Sequence, residues 1–204
     1  MTGDLVSPLA PLRHFVSEFA NLLSHDIGED EILSHGADLL RQLIARNDWL
    51  PADLSRPDPA RYQQYLLHCD SAQRFSIVSF VWAPGQKTPI HDHTVWGLVG
   101  VLSGAELEQR YRRDQYGGLV EDGPPCCLSP GEVSVLSPRI GDIHQVSNGS
   151  ADDVSLSIHV YGANIGDVRR SVFAGDGANK PFISGYANES LPNIWRNSAA
   201  QGRS

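Results

Sequence analysis

Three histidines carry the sharpest chemical signal in the chain. His91 and His93 stand one residue apart in Gly85-Gln-Lys-Thr-Pro-Ile-His-Asp-His, and His144 follows in Gly141-Asp-Ile-His-Gln-Val. Side chains on a strand alternate with a period of two, so His91 and His93 share a face and their imidazoles can converge on one ion. A sheet closed on itself can bring a third histidine opposite that pair. Imidazole suits iron, copper, nickel and zinc alike, so ligand type alone does not choose the metal. By itself the His-x-His pair is also what two histidines on a solvated strand look like. A second set lies in Val154-Ser-Leu-Ser-Ile-His-Val-Tyr161. Alternation puts Ser157, His159 and Tyr161 on one face and Leu156, Ile158 and Val160 on the other. On an open sheet the polar row is merely a solvated face. Inside a barrel it becomes a chain in which Ser157 orients His159, and His159 orients the phenol of Tyr161.

The elements that must position these groups follow from hydrophobic periodicity. Leu12, Phe15, Val16, Phe19, Leu22 and Leu23 recur at helical spacing, as do Ile32, Leu33, Leu39, Leu40, Leu43 and Ile44. Asp26 followed by Glu29 resembles a capping box ahead of the second helix. The prolines between Leu50 and Pro59 end this layer, and a short third helix is expected over Pro59–Leu67. From Phe75 the period becomes that of strands, with candidates at 75–81, 97–102, 106–112, 132–136, 143–146 and 154–161. Asn148-Gly149 has the composition of a tight hairpin turn, whose central residues need positive φ. Short strands at this spacing predict a double-sheet jelly roll or a barrel. The expected organisation is one domain over residues 1–204: a helical layer (1–67), a metal-binding barrel core (74–162) and a wrapping C-terminal segment (163–204).

The 204 residues carry a formal charge of −8, which argues against nucleic acid or an anionic membrane surface as a partner for the whole chain. No stretch approaches the ~18 apolar residues of a membrane span, and the N-terminus lacks the basic start and apolar run of a secretory signal. Cys69, Cys126 and Cys127 make an odd set containing an adjacent pair, which is no disulfide framework and suits a reducing cytoplasm.

The histidine segments resemble the two cupin motifs: a Gly, a five-residue spacer and His-x-His, then one further histidine. Many cupins place a ligand Glu three or four residues after the second His, where this chain has Gly97 and Leu98. The resemblance thus implies a set of three neutral imidazoles. Together with Ser157, His159 and Tyr161, these residues resemble the cysteine dioxygenase family of thiol dioxygenases, from about Tyr62 to Arg170. That resemblance implies a mainly β cupin (jelly-roll) barrel with an N-terminal helical layer. It implies one Fe(II) per chain on His91, His93 and His144, with Ser157, His159 and Tyr161 as the outer relay. The partners would be a small thiol and O2, and both oxygen atoms would end on sulfur as a sulfinic acid.

Two departures point to a branch. Cysteine-specific members carry a carboxylate-clamping arginine where this chain places Gln64, and a cysteine crosslinked to the relay tyrosine where it has Gly97 or a neighbour. Both changes resemble the bacterial 3-mercaptopropionate dioxygenases, in which an arginine beyond the tyrosine strand handles the carboxylate. Arg170 is the candidate, with Arg169 its rival. Both are also read simply as surface charges, and Gln64 as an exposed helix residue. A site with no partner for an ammonium favours 3-mercaptopropionate over cysteine. Two other readings stand beside this one: a cupin metalloenzyme of other chemistry, such as a carbon–carbon cleaving dioxygenase or an isomerase, and a non-catalytic metal- or ligand-binding cupin.

Overall fold

The structure, a computed structural model, describes residues 8–174 and 178–195. Of the expected C-terminal segment, residues 175–177 and 196–204 lie outside the described part. The two apolar stripes form α1 (Ala10–Leu22) and α2 (Glu29–Ile44), each burying one face. The cap of α2 sits two residues later than Asp26 and Glu29 suggested. Gly28 takes the extended N-cap conformation and its amide donates to Glu31 Oε2 at 3.2 Å.

The strands that follow are β1 (Gln63–Cys69), β2 (Ser76–Trp82), β3 (Ile90–His91), β4 (Gly97–Ser103), β5 (Glu106–Arg113), β6 (Leu119–Glu121), β7 (Cys126–Leu128), β8 (Val133–Leu136), β9 (His144–Asn148), β10 (Ser155–Tyr161), β11 (Arg170–Phe173) and β12 (Asn179–Phe182). Pairing is antiparallel throughout these strands. One sheet runs β1-β2-β10-β4-β8; the other runs β12-β11-β3-β9-β5-β6, with β7 added on β5. Consecutive strands repeatedly change sheet, which is the jelly-roll connection. The molecule is a mainly β cupin barrel with an N-terminal helical layer.

Two apolar layers hold it together. Outside the five-stranded sheet, Leu12, Phe15, Phe19, Leu40 and Ile44 pack on Ile77, Leu98, Ile158 and Val160. Close seating of α2 on β4 needs a residue without a side chain. A Cβ on Gly100 would lie 2.9 Å from Ile44 Cδ1 and 3.0 Å from Leu40 Cγ. Between the sheets, Val78, Phe80 and Trp82 of β2 meet Val146 of β9 and Tyr161 of β10. β10 is the middle strand of its sheet, in register with β2 from Ser155↔Trp82 to Tyr161↔Ser76 and with β4 from Leu156↔Ser103 to Tyr161↔Gly97. Leu156, Ile158 and Val160 therefore face the helices, and Ser157, His159 and Tyr161 face inward.

Two expectations are corrected here. The expected helix over Pro59–Leu67 is instead a turn leading into β1, which pairs with β2. In that segment Tyr62 and Leu66 pack inside the barrel, while Tyr65 and Leu67 pack on the helical side. The period of two, enforced by pairing, overrides a local sequence compatible with either state. Asn148-Gly149 makes no hairpin, because β9 and β10 belong to different sheets and neither residue has positive φ. Gly149 is needed for space: a Cβ there would lie 3.0 Å from that of Ala105. Asn148 instead clips the crossing loop, donating to the carbonyls of Trp82 (3.0 Å) and Asp153 (2.8 Å). Among the described residues, no helix is long and apolar enough to cross a membrane.

Candidate metal centre and relay

His91 and His144 are direct neighbours across β3 and β9. β3 ends at His91, so His93 is not placed by strand alternation as the spacing suggested. It is held by a turn: Asp142 Oδ2 accepts the amides of His93 (3.1 Å) and Thr94 (2.9 Å), and Thr94 takes a left-handed φ of 58°. Asp92, between the two, faces away and accepts the Ser171 amide at 2.7 Å, tying this edge to β11.

The three rings lie with centroids 4.8–4.9 Å apart, and one nitrogen from each falls within 4.8 Å of the others. Their outer nitrogens are engaged. Nδ1 of His91 faces the Pro89 carbonyl at 3.0 Å, Nδ1 of His93 the Asp142 carbonyl at 3.4 Å, and Nδ1 of His144 Glu108 Oε1 at 2.7 Å. Carbonyls and carboxylates only accept, so each ring carries its proton on Nδ1, leaving the Nε2 lone pair for an ion. Burial first, then neighbouring histidines, pulls His91 and His93 well below the ordinary imidazole value. Neutral imidazoles are the form that binds metals. The cluster His91-His93-His144 can therefore hold a metal ion.

Glu108, which sequence reasoning missed, anchors this arrangement. Burial pushes its carboxyl up, but His144, Arg110 and Ser134 outweigh burial and hold it at about 2. Glu106 was missed as well. It is fully buried and accepts the Trp82 indole N–H at 2.7 Å. The strand polarity hid both, since the apolar residue between them, Leu107, is the exposed one at 37%. A carboxylate pair alternating with an outward leucine was the available signal.

From β10 the inward row runs through short contacts: Ser157 Oγ to His159 Nε2 at 2.8 Å, and His159 Nδ1 to the Tyr161 hydroxyl at 2.8 Å. Phe80 stacks on His159 at 4.1 Å, and Tyr161 stacks on His93 at 5.1 Å. Burial pushes the Tyr161 phenol above its ordinary value, with Arg170 opposing, so it is neutral. A Cβ on Gly97 would lie 3.0 Å from Tyr161 Cδ1, so this glycine leaves the phenol its place.

A cavity opens between the histidines and the row, bounded also by Tyr62, Gln64, Arg170 and Phe182. Arg170 is 6% exposed, whereas Arg169 is on the surface. The Arg170 guanidinium lies 4.6 Å over the Phe182 ring and donates to Ser184 Oγ at 2.7 Å, while its Nε–H is buried without a hydrogen-bond partner. Burial lowers its pKa, with the Tyr161 and Tyr62 phenols acting in the other direction. Among the described residues, Arg170 is the one Lys or Arg in the cavity wall, and no Asp or Glu lines it. Gln64 does not lie on a helix; its side-chain amide donates to the Gly185 carbonyl, and its backbone carbonyl accepts the Ala187 amide at 2.9 Å. Phe182 and Ser184 had no sequence signal, because the C-terminal segment shows no period, and Tyr62 was hidden in the stretch read as a helix.

Fold and site together define a cupin-type barrel with a buried three-histidine cluster. No protein-family model matches the chain. Among solved structures, a Klebsiella pneumoniae protein with a double-stranded β-helix domain is 16% identical, with 64% of this chain and 87% of that one covered and a TM-score of 0.44. A cupin superfamily protein of Desulfitobacterium hafniense is 16% identical over 56% and 90%, with a TM-score of 0.43. Oxalate oxidase in complex with glycolate is 19% identical over 52% and 53%, with a TM-score of 0.41. Likenesses at this level leave the fold resting on its strand order and the site on its own geometry.

Proposed function

We propose that the protein is an iron-dependent thiol dioxygenase that converts a small carboxylate thiol, 3-mercaptopropionate in preference to cysteine, into its sulfinic acid. The observation that carries this reading is the buried row Ser157-His159-Tyr161, ending beside three clustered imidazoles with a half-satisfied arginine in the same cavity. Fe(II), held by His91, His93 and His144, would supply the redox chemistry for adding O2 to sulfur. The remaining work belongs to the side chains. Arg170 offers its free Nε–H and a further N–H to the carboxylate as a two-pronged pair. Phe80, Phe182 and the stacked aromatic rings exclude water and strengthen that pairing. Ser157 and His159 hold the Tyr161 hydroxyl at the cavity.

The cavity wall supports the choice between thiols. Cysteine brings an ammonium, and with no carboxylate lining the cavity its desolvation goes uncompensated. The test is oxygen uptake by the iron-loaded protein with 3-mercaptopropionate and L-cysteine in parallel, with the products identified. Faster, coupled formation of the sulfinate from 3-mercaptopropionate is expected. Preference for cysteine would refute the substrate assignment, and no thiol-dependent uptake from iron-loaded protein would refute the reaction.

A further inference from the structure

His159 sits between two hydroxyls, and that leaves the relay ambiguous. Ser157 Oγ lies 2.8 Å from its Nε2 and Tyr161 Oη 2.8 Å from its Nδ1. Each hydroxyl can donate or accept, so two proton arrangements fit the same heavy atoms. In one, the protons point from Ser157 through His159 to Tyr161, and the phenol is free to donate into the cavity. In the other, they point from Tyr161 through His159 to Ser157.

One group breaks the symmetry. Glu106 is fully buried, its Oε1 accepts the Trp82 indole N–H at 2.7 Å, and its Oε2 has no hydrogen-bond partner. That bare oxygen lies 3.9 Å from His159 Nε2. An indole N–H can only donate, and its more distant contact is Ser157 Oγ at 3.5 Å, so the serine end of the row is where acceptors collect. A carboxylate beside one imidazole nitrogen favours the proton on that nitrogen, and in a dry interior the preference is strong. No other acidic group is in ionic contact with His159 among the described residues; Phe80 covers its ring face.

We infer that Glu106 is a positioning residue that fixes the Nε2–H tautomer of His159, so that Tyr161 donates its hydroxyl hydrogen inward to Nδ1 and presents its oxygen lone pair to the cavity. Tyr161 then meets substrate as a hydrogen-bond acceptor, suited to a thiol S–H, rather than as the donor that the relay alone would suggest. That catalytic consequence rests on the function proposed above. The proton position does not, and it is measured without thiol.

The experiment is 15N NMR of the full-length chain with labelled histidine, loaded with diamagnetic zinc, with the His159 signals assigned by their loss in His159→Asn. The wild type should show a protonated Nε2 and an unprotonated Nδ1. Glu106→Gln keeps an acceptor for Trp82 but removes the charge, and should move the proton population toward Nδ1. Trp82→Phe keeps the charge and should retain the wild-type tautomer. A wild type protonated at Nδ1, an unchanged tautomer in Glu106→Gln, or a reversed one in Trp82→Phe would each overturn the inference. Should Glu106→Gln not fold, the wild-type spectrum and Trp82→Phe still decide. A correct tautomer in a protein that turns over no thiol would sink the proposed reaction and leave the role of Glu106 standing.

Discussion

Replacing Arg170 by lysine separates charge from geometry in the proposed substrate pocket. Lysine retains a cation but not the planar fork, so one of two hydrogen bonds to a carboxylate is lost. A hydrogen bond to a charged group is worth about 1.5–3 kcal/mol. With a factor of ten for every ~1.4 kcal/mol, KM for 3-mercaptopropionate should rise roughly 10- to 100-fold. The upper part of that range applies if the packing of the guanidinium on Phe182 and its bond to Ser184 also go, since both hold the fork in place. The assay is initial-rate oxygen uptake over a range of 3-mercaptopropionate, set against 1-propanethiol, which lacks the carboxylate. Arg170→Lys should leave 1-propanethiol turnover close to wild type. An unchanged KM for the acid would place its carboxylate elsewhere, and an equal loss with both thiols would show a general defect in place of a broken pair.

Two other outcomes follow from the buried carboxylates. Glu108→Gln removes the charge that His144 Nδ1–H donates to, and metal affinity should fall about 10- to 100-fold in chelator competition; a change within about twofold would remove Glu108 from the metal's support. Asp70 accepts both prongs of Arg74, at 2.9 Å each, and this pairing, with burial opposing and the Arg74 and Ala72 amides helping, lowers its carboxyl from the ordinary 3.8 to about 2. A depressed carboxyl stabilises the fold above its unfolded value and loses that contribution as pH falls through the folded one. Because the Arg74 side chain is 39% exposed, solvent screening leaves about 1 kcal/mol. Denaturant titrations should show that advantage over Asp70→Asn at pH 7 and its disappearance between about pH 4 and pH 2; a gap independent of pH would assign it to packing.

Legibility in the sequence tracked how closely each segment kept its period. The helices announced themselves because their apolar residues face one side only. β10 did so because leucine, isoleucine and valine alternate with serine, histidine and tyrosine. β1 was hidden, since Tyr62-Gln-Gln-Tyr-Leu-Leu matches a helix as well as a strand and only pairing with β2 decides. Glu106 and Glu108 were hidden for the opposite reason. Their strand is inverted, with carboxylates inside and Leu107 outside, so a reading that sends charge to solvent faces it the wrong way. β11 and β12 are four residues each, too short to show alternation, and the cavity wall at Phe182 and Ser184 depends on pairings that no local pattern encodes.

The central place of β10 bears on how this chain can vary over generations. One face of the strand fills the helical layer and the other lines the cavity, and both neighbours fix its register. A single-residue insertion or deletion between 155 and 161 would exchange the faces, sending Leu156, Ile158 and Val160 toward the metal cluster and the relay toward the helices. This segment can therefore drift by substitution but not by length. The turn at 114–118, by contrast, holds itself together through Asp114 and is free to change both.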